Sequence, residues 1–288
     1  VLRWAWSVAG GLQPLPGGCL ELKERVEPFA LLQANPFDPD ELALTSRRAV
    51  RFCAQGPRGW AAYAPRLSFH ESAERRGGKE LVATVFFGRA GQQQAVTGTT
   101  RGTLIVWDSM FSLEDRSQPD HRREVKSITL FSAGQEQLLT ALLPHGPLLL
   151  VGTHRGCVRV YNAKFRIICW YESTGLGRVT SLSFGSRAPP SAQEEDAAAV
   201  DFGAFIAADS HSRVHQIDTR SFNFAGEARG APRVLIQGLP SPVRALAFDA
   251  RGERVALACE DNRVLAGPRF RSSPGTGNLP VPWGRCNA

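Results

Sequence analysis

The sequence predicts an all-β chain assembled from repeated four-stranded antiparallel units, and three observations carry that reading. The segment AVTGTTRGTLIVWD, Ala95 to Asp108, returns 54 residues later as LLVGTHRGCVRVYN, Leu149 to Asn162. Each copy holds two runs rich in Val, Ile and Leu around a short polar turn, the composition that pleated, buried surface favours. The Trp107 position recurs at Cys53, Tyr161, Ile217 and Gly267, at intervals of 50 to 56 residues, a period that signals a repeat architecture.

The elements of the unit follow in order. A strand precedes each pair: PFALLQANP, LVATVFFG, LLTALLP, VTSLSF and VRALAF stand in register ahead of the five copies. The pair itself is closed by a tight turn, in which Gly102 and Gly156 mark the position where positive φ is needed. A fourth strand should follow, and RIICWYES, Arg166 to Ser173, is its clearest instance. A four-stranded unit ending in Trp-Asp is the signature of a WD40-type β-propeller. Five to six blades are expected within this chain and seven in the full ring. One blade leaves two apolar faces uncovered; neighbours bury them, and ring closure removes the free ends.

The opening VLRWAW reads as the same element again, so residues 1–28 are expected to end a preceding blade, 29–268 to form the propeller blades, and 269–288 to be an exit linker or tail. A first residue that is not Met suggests an excerpt of a longer chain. The expected blade anchors are Gly102, Trp107, Asp108, Gly156, Tyr161, Asn162, Ile217 and Asp218. Many WD repeats hold their turns with a buried Asp, His, Ser/Thr and Trp network. Here Arg101 and Arg155 occupy the turn position where Asp is common, and the strand-end position holds Trp only at Trp107, the other copies having Cys53, Tyr161, Ile217 and Gly267, so the network is expected to be largely absent and packing to hold the blades. Three polar stretches read as exposed loops: residues 70–80, 108–127 and the Pro- and Glu-containing insertion 185–200.

Composition narrows the function. The formal net charge is +7 with a pI near 9.4, but only four of the 34 basic residues are lysine and the arginines are spread along the chain, which argues against a nucleic-acid role. No apolar run spans a bilayer: LLTALLPHGPLLLVG is broken by His145 and two prolines. The N-terminus lacks the order of a signal peptide. Cys19, Cys53, Cys157, Cys169, Cys259 and Cys286 include no C-x-x-C pair, so reduced, buried thiols are expected rather than zinc or a disulfide framework.

Catalytic signatures are missing as well. Neither G-x-S-x-G nor G-x-x-x-x-G-K-[ST] occurs, and GLGRVT, Gly175 to Thr180, lacks the third glycine of a dinucleotide fingerprint and precedes a strand, so it reads as a turn. His211 and His215 are four apart on a strand-like segment, where a rise of about 3.3 Å per residue separates them too far to share a metal. His154 and His211 fall in successive turns and are read as turn-exposed. No enzyme, metal, cofactor or small-molecule substrate is expected.

Two stretches go beyond the generic repeat: LLQANPFDPDEL, Leu31 to Leu42, and GTHRGCVRVYNAKFRIICWYESTGLGRVTSLSF, Gly152 to Phe184, followed by the APPS of the insertion. Together with LIVWD, they make the chain resemble, from about Phe29 to Gly267, the WD-repeat subunits of the calmodulin- and spoke-associated complex, a cilia- and flagella-associated family. The resemblance implies a non-enzymatic subunit of the motile-cilium axoneme near the base of a radial spoke, with protein partners there and neither nucleic acid nor membrane. Family members are longer and carry a region resembling calcium-binding helix-loop-helix units; no D-x-D-x-D-G loop occurs here, so calcium is not assigned to this chain. A generic WD adaptor outside cilia, such as a ubiquitin-ligase substrate receptor, is the alternative.

Overall fold

The structure, a computed structural model, describes residues 2–7, 11–19, 27–56, 59–65, 67, 80–89, 92–109, 122–131, 137–172, 175–184, 204–218, 232–248, 254–268 and 284–286. All regular structure among them is β-strand, in one two-stranded and five four-stranded antiparallel sheets of the β-propeller type. The chain divides into two compact units, residues 1–86 with 90–133, and residues 87–89 with 134–288.

In the first unit β1 (Leu2–Ser7) pairs with β2 (Gly11–Cys19). The first full blade is β3 (Leu31–Ala34), β4 (Glu41–Thr45), β5 (Val50–Gly56) and β6 (Gly59–Tyr63), and the second is β7 (Leu81–Arg89), β8 (Gln92–Thr99), β9 (Thr103–Ser109) and β10 (Arg122–Thr129). The core between them gathers Ala43, Phe52, Phe86, Ile105 and Trp107, with Phe52 edge-on to both Phe86 and Trp107. Full burial of a side chain such as Phe52 contributes about 1.5–3 kcal/mol.

The second unit holds three blades. They are β11 (Leu139–His145), β12 (Leu148–Thr153), β13 (Val158–Tyr161) and β14 (Ile167–Tyr171); β15 (Val179–Phe184), β16 (Ala204–Asp209), β17 (Val214–Asp218) and β18 (Arg233–Ile236); and β19 (Val243–Phe248), β20 (Arg254–Cys259), β21 (Val264–Pro268) and β22 (Gly284–Cys286). β12 is buried along its whole length, which is why LLLVGT reads as a continuous apolar run. Gly152 lies where β12 meets β15: a Cβ there would stand 2.7 Å from Val179 Cγ1. The first strand of each blade in this unit carries a register shift at the same place, between Leu139 and Ala141, Val179 and Ser181, and Val243 and Ala245. A bulge repeated in this way adds the twist that lets successive sheets stack.

Two expectations are corrected. Residues 122–127 belong to strand β10, not to a loop; only the register with β9 shows it, because β10 is an outer strand with mostly exposed side chains. Residues 284–286, expected within a tail, pair with β21 as the fourth strand of the last blade. Residues 185–200 and 70–79 lie outside the described residues.

Cys53, Cys157, Cys169 and Cys259 are buried and free. Burial pushes the thiols of Cys53 and Cys157 up to about 11 and that of Cys169 to about 12, so they are packing groups rather than nucleophiles.

Candidate functional site

The tight turn between the second and third strands of each blade is the recurring local device. In the second blade Gly102 N donates to Thr99 O and Gly102 takes φ +72°. Gly156 at +77°, Ser212 at +60° and Asn262 at +63° repeat that conformation in the next three blades. The geometry is a turn followed by one left-handed residue, which rejoins the strands with their natural twist. Glycine fills the position without strain; Ser212 and Asn262 show that the fold also imposes it on side-chain-bearing residues, and sequence marks only the first two.

A side-chain acceptor sits at the start of three of these four turns. Thr99 Oγ1 accepts from Thr103 N and Thr153 Oγ1 from Cys157 N, each at 3.1 Å, and Asp209 Oδ1 accepts from Arg213 N at 3.1 Å. The turn is tied to the incoming first strand as well: His154 N donates to Leu138 O, Ser210 N to Arg178 O and Glu260 N to Pro242 O, all at 2.9 Å. Asn162 does the same work one turn later, its Oδ1 accepting from Lys164 N and Arg166 N at 3.0 Å.

The polar network expected to be largely absent is present in two pieces. In the first unit Trp107 Nε1 donates to Thr97 Oγ1 at 2.7 Å; Thr97 and Thr84 share a 2.8 Å hydrogen bond, and Thr45 donates to Thr84 at 2.8 Å. All four side chains are buried, and they run from the first blade into the second. Nearby, Arg122 forms a buried two-point ion pair with Glu41, Nη2 to Oε2 at 2.7 Å, while its guanidinium lies 5.4 Å from the ring centres of both Phe52 and Phe86.

In the second unit the carboxylate of Asp209 is fully buried and collects its donors from three places. His215 Nε2 lies 2.9 Å from Oδ2, Arg213 Nη2 donates to Oδ2 at 2.8 Å, and the backbone N–H groups of His211 and Gly177 reach it at 2.9 and 3.3 Å. Burial is the largest influence and raises the carboxyl pKa, but the hydrogen bonds from His215, Arg213 and the backbone together hold it below its ordinary value. Burial lowers the pKa of His215, against the pull of Asp209, so the imidazole is neutral and donates through Nε2.

His211 lies in the turn and is exposed, as its place in the repeat predicts, so the strand spacing used for His211 and His215 does not apply: His211 Nδ1 and His215 Nε2 face one carboxylate, at 3.7 and 2.9 Å. No cluster of three or more metal-capable side chains occurs among the described residues.

The segment GLGR, read as a turn, is a joint. Leu176 is buried between blades, and Gly175 O accepts from Arg213 Nη2 at 3.0 Å. A Cβ on Gly156 would stand 2.0 Å from Leu176 O, and one on Gly177 would stand 2.3 Å from His211 Nδ1. The turns of the third and fourth blades thus close on the crossover from both sides, and neither glycine can be replaced without a shift.

Of the other expected anchors, Trp107, Tyr161 and Ile217 are buried at matching positions, opposite Ala95, Leu149 and Phe205 in the neighbouring strands. Asp108 stands opposite Arg123, and Asp218 is exposed opposite Ala204. Thr45, Thr84, Thr97, Asp209, Arg122 and Glu41 went unrecognised in the sequence; the shared turn position of Thr99, Thr153 and Asp209 was the one available signal.

No family model matches the chain. It is 27% identical over 237 residues to Cilia- and flagella-associated protein 251 of Chlamydomonas reinhardtii, an alignment that covers 78% of this chain and 28% of that protein. The protein of the same name from Tetrahymena thermophila is 24% identical over 204 residues, covering 64% of this chain and 20% of its own length, and that of Mus musculus is 23% identical over 190 residues, covering 66% and 14%. The chain therefore spans between 14 and 28% of the length of these curated relatives. Among solved structures it is similar to the β-propeller domain of Myceliophteria thermophila Cps50 (Swd1), with a TM-score of 0.58 and 13% identity over 89% of this chain and 73% of that one. That likeness shows the fold, a β-propeller.

Proposed function

We propose that this chain is a propeller module of a cilium- and flagellum-associated protein, acting as a non-enzymatic scaffold in the motile-cilium axoneme. In this reading it docks proteins at the base of the radial spoke, those of the calmodulin- and spoke-associated complex among them. The observation that carries the proposal is the likeness to three proteins, from three organisms, that share a name tying them to cilia and flagella. The fold supports a scaffold role: rigid stacked sheets hold turns and loops in fixed positions, and recognition resides in such segments. A specific dock needs about 1,000 Å² of buried surface in total, which propeller faces can offer.

The test is to express the tagged full-length protein in ciliated cells and to fractionate them. The protein should stay with demembranated axonemes, leave in strong salt, and co-precipitate radial-spoke-base proteins. Recovery mainly from the cell body, or equal abundance in cells that build no cilia, would overturn the axonemal reading and favour a general adaptor.

A further inference from the structure

We propose that the turn-bearing face of the third and fourth blades is a docking site for an acidic, carboxylate-rich peptide segment of a partner protein. It names a partner chemistry for the docking role above and rests on that role, not on location in the cilium.

The face is made by three segments already shown to interlock: residues 153–157, 175–178 and 209–213. They carry the cations Arg155, Arg178 and Arg213 against one carboxylate, Asp209, while His154 Nδ1 accepts from Leu138 N and His211 Nδ1 from Arg213 Nη2. That carboxylate is buried and saturated by Arg213, His215 and backbone donors, so it offers nothing to a ligand and repels none. Arg155 stands at the turn tip and Arg178 on the crossover; both are exposed, and neither makes an ion pair among the described residues. The His211 side chain is 64% exposed beside them.

Two features favour a carboxylate-bearing peptide. First, the cations are mounted on a preorganised base. The crossover is pinned between Gly156 and Gly177 contacts, Ser210 N holds Arg178 O at 2.9 Å, and Arg213 ties Gly175 to Asp209. Little backbone order is lost on binding, which leaves more of the charge interaction as affinity. Guanidinium groups also match carboxylates in a planar, two-point geometry. Second, acids interrupt the positive area within this unit. Exposed Glu172 precedes the crossover, and exposed Glu260 and Asp261, the latter paired with Arg263, occupy the turn of the fifth blade. A continuous phosphate backbone needs a longer positive track and would meet these acids, whereas a short acidic segment fits between them.

The experiment uses the purified 288-residue chain and three labelled probes: a glutamate-rich peptide, its glutamine counterpart, and a single-stranded DNA oligonucleotide of equal charge. The variant Arg155→Glu/Arg178→Glu is compared with Arg233→Glu/Arg244→Glu, which changes net charge equally at exposed strand positions elsewhere in the same unit. Saturable binding of the glutamate peptide should weaken about tenfold or more in the first variant and stay near parent in the second. The first variant should also gain affinity for a lysine-rich peptide, a readout that misfolding would not give. Equal loss in both variants, tighter binding of DNA than of the glutamate peptide, or no saturable binding would overturn the site. Peptide binding that persists in a protein absent from cilia would sink the axonemal reading alone.

Discussion

His215 donates its Nε2–H to Oδ2 of Asp209 at 2.9 Å, with both side chains sealed from solvent inside the fourth blade. The pair links strand β16 to strand β17, and Arg213 extends it to the crossover at Gly175.

Truncating this carboxylate should be among the costliest changes in the second unit. Asp209→Ala strands the buried donor of His215 and the half-buried N–H of Gly177 and frees Arg213 from its partner. Losing one member of a buried charged network costs about 3–5 kcal/mol. The urea midpoint should fall accordingly, with Asp209→Asn falling less because volume and one acceptor oxygen remain.

Acid should weaken the fold in two stages. His145 and His215 have pKa values lowered from 6.5, both chiefly by burial. Between that unfolded value and the lower folded one the unfolded chain binds the extra proton, so stability falls as pH drops through that window. Asp209 sits below 3.8, so its contribution is present above that value and is lost as pH falls through the lower folded one. His145 stacks on Phe184 with ring centres 3.9 Å apart, and its buried Nε2 has no partner among the described residues. His145→Phe should therefore keep the stack while flattening the first stage, gaining stability near pH 5 and little near pH 8. Parallel unfolding curves against pH would count against this account.

Trp107 is predicted to matter through its N–H as well as its bulk. Trp107→Phe leaves the buried Thr97 Oγ1 without its indole donor in the Thr45–Thr84–Thr97 chain. Thr97 keeps its Thr84 partner, so the loss is that of one hydrogen bond, about 0.5–1.5 kcal/mol, and Trp107→Ala should cost about 3–5 kcal/mol. Thr84→Val in the Trp107→Phe background should add less than it does alone, because the two changes disrupt one network. Denaturant unfolding of the four proteins measures the coupling.

Two glycines separate strain from collision. Gly238 and Gly156 share a positive φ, +75° and +77°, but a Cβ at Gly238 meets nothing within 4 Å whereas one at Gly156 meets Leu176 O at 2.0 Å. Gly238→Ala should cost only the left-handed backbone penalty, about 1–2 kcal/mol. Gly156→Ala should cost clearly more and should loosen the crossover, seen as faster amide exchange at Gly177 and Ser210, whose N–H groups bond to Asp209 and Arg178. Equal costs at the two sites would show that the crossover can retreat.

The rhythm of the chain was readable because it follows from burial alone. Strands such as LLLVGT, buried along their whole length, appear as apolar runs, and their spacing locates the blades. Strand β10 did not appear because an outer strand needs few apolar residues: RREVK has the charge of a loop and becomes a strand only through its register with β9. Gly284–Cys286 is too short to leave any pattern and is a strand only because β21 offers it an edge.

The polar networks were invisible for a different reason. Thr45 meets Thr84 across 39 residues and Arg122 meets Glu41 across 81, so no local window contains both partners. The Gly156–Leu176 approach is equally non-local. The sequence by itself determined the buried part of the unit: which residues form the inner strands, where the turns between them fall, and at what spacing the pattern repeats, because each depends on the local alternation of apolar and polar groups. Only the tertiary structure decided which polar side chains meet, which glycines are forced, and which arginines stay exposed, because those outcomes depend on how one sheet lies against the next.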